Sequence, residues 1–279
     1  MPNKLSIINH DRRIFKGKYI YPVVSRRANG LSIGINLNTN NACNWQCIYC
    51  EVPNLKRGKP ELINLKLLKE ELIYWLNQVV YLDFLDKHTE SGTVLRDIAF
   101  SGNGEPTASK EFGAAIKIVA EQIHSFQLQN KISIRLITNG SYLDHPETIK
   151  AWAQLENFNR EIWFKIDAID PLEAKRINQI NISSKRVISN LESSIQISPT
   201  IIQTCLLKIN KELPSIRSIN EYINFLYPFE NNLKAIHLYS LARPTEQNNS
   251  DSIERLSHDE LESIANKIKK LKVPVFSFI

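Results

Sequence analysis

Nowhere does the sequence hold an uncharged apolar run of the ~18 residues that a membrane-spanning helix needs. The opening MPNKLSIINHDRRIFKGKY breaks its short apolar runs with charge, so neither a signal peptide nor an acid-free, Arg/Ser-rich presequence fits. Cysteine is scarce as well. Four in 279 residues exclude a disulfide-stapled secreted scaffold, and three of the four lie too close together for sensible bridges. No repeat at fixed period and no low-complexity linker divides the chain; the most loop-like stretch is ARPTEQNNSDS at 242–252. These absences predict no membrane, a reducing cytoplasmic setting and a single domain over 1–279, with a core at about 31–245 between a basic N-terminal segment and a C-terminal helix and strand.

What is present is a globular composition, 43% hydrophobic and 23% charged, enough for a substantial core. Acidic residues are missing from one place in particular. Residues 1–30 carry Lys4, Arg12, Arg13, Lys16, Lys18, Arg26 and Arg27 against Asp11 alone, which accounts for the whole net charge of +6. An anionic partner, nucleic acid or a phosphorylated substrate, fits this segment; a solvated basic arm is the other reading.

Short β-branched runs alternate with segments whose apolar residues recur every three or four positions. Strands are expected at 31–38, 95–102, 132–140, 161–168, 201–207 and 233–242. Helices are expected at 65–82, 110–125, 146–155 behind Asp144 as cap, 185–195, 214–225 and 259–271 behind Ser257. Six strand-helix units mean a parallel α/β sheet. They are fewer than the eight of a closed barrel, so the expected fold is an open, partial (βα)6 barrel with its site at the C-terminal strand ends. A last run, VPVFSF, is expected to close or extend an edge.

The stretch ACNWQCIYC places Cys43, Cys47 and Cys50 in the loop directly after the first expected strand. Three thiolates on one short loop can converge on a soft metal centre, whereas a structural zinc site wants four closed ligands. The remaining Cys205 falls inside the fifth strand, and no histidine is spaced to complete the set. A cubane iron-sulfur cluster held by three cysteines leaves one iron open to something that is not protein.

CNWQCIYC resembles the CxxxCxxC motif of the radical S-adenosylmethionine (radical SAM) superfamily, with the aromatic Tyr49 just before the last cysteine. One βα unit later, FSGNGEPT (100–107) matches the position and form of the superfamily's GGE motif, with Asn103 where glycine is commoner. The resemblance implies a 4Fe-4S cluster on Cys43, Cys47 and Cys50 and S-adenosylmethionine chelated to the open iron. Reductive cleavage of the cofactor then yields a 5'-deoxyadenosyl radical that abstracts hydrogen from substrate. Cofactor binding falls to Tyr49 against the adenine, to Gly102, Asn103, Gly104 and Glu105 at the methionine ammonium, and to Thr138 and Asn139 of ITNGS at the third strand end. Trp45 is expected to shield the cluster, and His237 to lie in the core or just behind the site.

Further strand-end motifs, WFKIDA (163–168) and LYSLARP (238–244), are similar to the branch of the superfamily that contains the wyosine-base tRNA-modifying enzymes. This makes Lys165, Asp167 and Arg243 the candidate catalytic residues. Lys165 suits a Schiff base, an ion pair or a cofactor contact; Arg243 suits a clamp on a carboxylate or phosphate. The wyosine enzymes bind a second cluster through cysteines upstream of the main motif, and this chain has none before Cys43. The implied partners are an external electron donor such as flavodoxin or ferredoxin, and tRNA or another anionic substrate. A small anionic metabolite or a glycyl-radical partner protein stays open as substrate. So does, from a different class, a non-catalytic module whose metal site stabilises the fold or senses redox state.

Overall fold

A computed structural model describes residues 4–6, 17–247 and 253–279. Arg12, Arg13 and Lys16 of the basic segment lie outside the described residues, as do 248–252 of the late polar stretch. In chain order the elements are β1 (Ile20–Ser25), β2 (Gly30–Ile35), β3 (Ala42–Cys43), β4 (Lys56–Arg57), α1 (Leu65–Val80), α2 (Phe84–His88), β5 (Leu95–Phe100), α3 (Phe112–Ser125), β6 (Ser133–Thr138) and α4 (Pro146–Ala153). They continue with β7 (Arg160–Lys165), α5 (Pro171–Asn178), α6 (Ser184–Ile197), β8 (Thr200–Cys205), β9 (Leu207–Ile209), α7 (Ile216–Leu226), β10 (Leu233–Tyr239), β11 (Ile253–Arg255), α8 (His258–Ile268) and β12 (Val275–Phe278). All six expected strands and all six expected helices form.

The chain folds into two compact units, each assembled from separate segments: Met1–Ala42, Lys59–Ile137 and His145–Glu161 in the first, and Cys43–Gly58, Thr138–Asp144 and Ile162–Ile279 in the second. In the first unit the strand order is β1-β2-β5-β6. β1 joins β2 as an antiparallel hairpin, while β2–β5 and β5–β6 are parallel and linked through helices. β2 is buried along Leu31–Ile35, as a strand covered on both faces must be. Between these strands a buried ionic network links Ser32 to Asp97, and Asp97 to Arg135, which also donates to Glu161 at 3.0 Å. Burial pushes the Asp97 carboxyl up from its ordinary value, although Arg135 and Ser32 oppose the shift.

In the second unit β7-β8-β10-β12 run parallel, so the terminal VPVFSF run extends an edge beside β10. β9 and β11 form a separate antiparallel pair. His237 is buried on β10 among the rings of Trp163, Phe276 and Phe278, a core position as expected.

Local chemistry explains the helix starts. Asn64 caps α1 on the amide of Leu67, and Leu68, Leu72, Trp75, Leu76 and Val79 turn one face inward. Ser257 and Glu260 make a reciprocal capping box on α8. α4 departs from expectation: its cap is His145, with no side-chain bond, and Asp144 instead receives Arg186 at 2.5 and 2.9 Å. A guanidinium that engages both carboxylate oxygens outcompetes a single backbone amide. Among the elements that the periodicity did not announce are β1 and α5. β1 is a short hairpin arm, and α5 buries only Ala174 and Asn178, leaving no apolar stripe to read.

The N-terminal edge is anchored by one side chain. Glu71 of α1 accepts the backbone amides of Lys18, Tyr19 and Ile20 at 2.9, 2.8 and 3.0 Å, which fixes the approach to β1. Glu71→Ala removes the acceptor from all three donors and should cost about 1–3 kcal/mol, read as a lower thermal midpoint; Glu71→Gln, which keeps one oxygen, should lose less. Unchanged midpoints for both would mean that water serves these amides equally well.

Candidate active site

In the first unit, the turn after β5 carries Gly102, Asn103, Gly104 and Glu105 and is cross-braced to 36–42. Asn36 Oδ1 accepts the amides of Asn38 and Asn103 at 3.0 and 3.1 Å, and Asn103 Nδ2 donates to Asn41 at 2.7 Å. Asn38 Nδ2 donates to the carbonyls of Ala42 and Glu105 at 3.0 and 3.3 Å. Both glycines are required by this close approach: a Cβ would stand 2.4 Å from Asn36 Oδ1 at Gly102, whose φ is +143, and 2.3 Å from the Ala42 carbonyl at Gly104. Within this unit the two glycines admit the neighbouring loop, a packing role beside the ligand approach expected of them. Glu105 is buried and its Oε1 accepts the amide and hydroxyl of Thr107 at 3.1 and 2.5 Å, so it also caps the short 3₁₀ turn at Pro106–Ala108.

The second unit holds the cysteine loop, the TNGS turn, the end of β7 and the ARPTEQ segment together. None of Cys43, Cys47, Cys50 and Cys205 is in a disulfide. The Trp45 amide lies 3.4 Å from Cys43 Sγ, the Cys50 amide donates to the Cys47 carbonyl at 3.0 Å, and the buried Trp45 indole donates to Ser141 at 3.1 Å. Thr138 Oγ1 and Asn139 Oδ1 accept the amides of Gly140 and Ser141 at 2.9 and 3.0 Å, and Asn139 Nδ2 donates to Asn44 at 2.8 Å. Asn139 thus caps its own turn and also touches the cysteine loop.

Asp167 is the hub. Its Oδ2 takes Lys165 Nζ at 2.8 Å, the Tyr49 hydroxyl at 2.6 Å and Asn178 Nδ2 at 2.7 Å, while Oδ1 takes the Cys205 amide at 3.0 Å. Lys165 and Asp167 therefore face the same way, as their alternation predicted, and the ammonium also sits 4.3 Å above the Tyr49 ring. Burial alone would lower the Lys165 pKa, but the charge of Asp167, with Tyr239, Cys47 and Cys205 behind it, turns the net shift upward. A protonated amine is no nucleophile, so this geometry supports the ion pair over the Schiff base. Burial also raises the Cys47 thiol above its ordinary value, against the pull of the Lys165 charge. Cys205 packs in a buried cluster with Ile48, Leu207 and Ile209, the core position expected of it. Two cavities reach Asp167: one of about 20 Å³ beside Trp45, Lys165 and Asn178, and one of about 160 Å³ lined by Thr204, Cys205, Leu207, Tyr222 and Ile264.

Arg243 is committed to Glu51, the residue after Cys50. Around this pair the segment behind it straps the loop down: the Thr245 hydroxyl shares its one hydrogen between the carbonyls of Ile48 and Cys50, at 2.8 and 3.1 Å, and Gln247 Nε2 donates to those of Cys50 and Val52 at 3.1 and 2.8 Å. Glu51, Thr245, Gln247 and Asn178 were all missed by sequence reasoning. Asp170-Pro171, a cap followed by a first-turn proline, was the available signal for the helix that carries Asn178.

The family model described as "Radical SAM superfamily" matches residues 37–213. "GTPase Obg" of Brachyspira hyodysenteriae is 29% identical over 140 residues, 50% of this chain and 18% of that protein. A "UPF0026 protein" of Helicobacter pylori is 27% identical over 252 residues, 86% of this chain and 70% of that one. Among solved structures, Streptococcus suis SuiB bound to S-adenosylmethionine gives a TM-score of 0.56 at 14% identity, over 91% of this chain and 52% of SuiB. The chain thus spans about half of SuiB and less than a fifth of the Brachyspira protein, and shares SuiB's fold.

Asp167→Ala strips a buried ammonium, a phenol and an amide of their common acceptor. It should destabilise the protein by about 3–5 kcal/mol, the cost of orphaning a buried charge, measured by denaturant unfolding. A loss under about 1 kcal/mol would mean that the network is solvated and holds nothing in place.

Proposed function

The chain belongs to the radical SAM superfamily, and we propose that it is a radical SAM enzyme of partial-barrel α/β fold that uses a 4Fe-4S cluster and S-adenosylmethionine to abstract hydrogen from an anionic substrate, a tRNA base foremost. The observation that carries the reading is the cysteine loop itself, three thiols outside any disulfide, braced from both sides. The donor set fits the cluster. Among the described residues no three His, Cys, Asp or Glu side chains gather to hold one metal ion, and a cubane makes no such demand, because it spreads its cysteines over three irons. Cys43, Cys47 and Cys50 would hold the cluster. Once bound, the reduced cluster and S-adenosylmethionine supply a carbon-centred radical.

The protein's part is recognition and shielding. Glu105 offers a carboxylate to the cofactor's ammonium, with Gly102, Asn103 and Gly104 shaping the approach. Thr138, Asn139 and Tyr49 serve the ribose and adenine, and Trp45 keeps water from the loop. Lys165 and Asp167 act as a fixed ion pair that orients Tyr49, and Arg243 orders the loop through Glu51 rather than clamping substrate directly. Electrons come from a separate donor such as flavodoxin or ferredoxin. The basic N-terminal residues and the wyosine-like motifs support tRNA. A small anionic metabolite or a glycyl-radical partner protein is the second reading of the same radical chemistry. Among the described residues no helix is long and apolar enough to cross a membrane.

Anaerobic reconstitution, reduction and addition of S-adenosylmethionine should release 5'-deoxyadenosine, measured by chromatography, and Cys47→Ala should abolish it. Glu105→Gln keeps the local cap but removes the charge, and should raise the cofactor's KM roughly tenfold or more. An intact cluster with no cleavage, with candidate substrates present, would point instead to a binding or redox-sensing module. Retention of tRNA that weakens steeply with added salt would favour the nucleic-acid substrate over a small metabolite.

A further inference from the structure

Asn178 has no part in the chemistry above, yet it is the last residue of α5, 2% exposed, with its side chain at the cysteine loop. Its Nδ2 lies 3.3 Å from Cys47 Sγ and 2.7 Å from Asp167 Oδ2. A side-chain amide nitrogen carries two hydrogens, and these two acceptors use both. Turned over, the amide would set its oxygen against a carboxylate and a sulfur, so Asp167 decides which way it faces. Asp167 is in turn fixed by Lys165, Tyr49 and the Cys205 amide.

The backbone keeps donor and sulfur in register. The amides of Gln46 and Ile48 donate to the carbonyls of Asn178 and Ile177 at 3.2 and 2.9 Å, so the cysteine loop satisfies the last carbonyls of α5. A helix C-terminus is an unfavourable neighbour for negative charge. A donor to the thiolate offsets it, and because a reduced cluster is one electron more negative, that donor stabilises the reduced state more than the oxidised one.

We infer that Asn178 is a positioning residue that raises the reduction potential of the cluster by donating a hydrogen bond to the Cys47 thiolate. The inference rests on the cluster proposed above. It identifies the residue that eases electron entry from the external donor, since a higher potential lets a weaker reductant deliver the electron.

The test compares wild type, Asn178→Leu and Asn178→Ser after anaerobic reconstitution, with iron and sulfide counted and the potential taken from an EPR-monitored redox titration without S-adenosylmethionine. Leucine matches the shape without a donor; serine is polar but too short to reach the sulfur. A full cluster in all three proteins, with both variants shifted to more negative potential, is the expected result, and if one variant fails to load, the other decides. Equal potentials overturn the inference and leave the cluster reading intact. Loss of the cluster from both variants, with circular dichroism unchanged, also overturns it and makes Asn178 a structural brace. A wild-type protein that takes up no cluster fails the reading beneath.

Discussion

The second unit depends on one buried carboxylate. Asp167 has four donors converging on two oxygens, from β7, the cysteine loop, α5 and the end of β8. A charge with no aqueous shell is tolerable only where each lone pair is met, and here meeting them ties together segments far apart in sequence. The network sets the orientation of Tyr49 and Asn178, and through Asn178 that of Cys47.

The cysteine loop is consequently not a floppy connection. One side is seated on the carbonyl end of α5; the other is strapped by Thr245, Gln247 and the Arg243–Glu51 pair. The cysteines proposed as cluster ligands would need such support, because ligand geometry and hydrogen bonds to sulfur both tune a metal centre. In the first unit the same economy applies to the glycine turn. Its glycines make room for 36–42, and its glutamate caps a turn, so residues assigned to a ligand on sequence grounds also serve packing.

Much of the fold was legible in the sequence. Strand cores such as LSIGI and helices such as α1 and α8 carry strong local signals, period 2 or 3.6 with a cap at the start, and these survive in the structure. β1 and α5 did not show themselves, one because it is a short hairpin arm and the other because its buried face is nearly polar. Asp144 was misread as a cap because a distant arginine claims it.

The sequence by itself determined the strand-helix order, the three-cysteine loop and the residue types offered at each strand end, since periodicity, capping and short motif spacing are local properties of the chain. Only the tertiary structure decided the pairings: Lys165 with Asp167, Arg243 with Glu51, Asn178 with Cys47. Each such partner is chosen by burial and by which backbone groups remain unsatisfied when distant segments meet, and no local pattern encodes that choice.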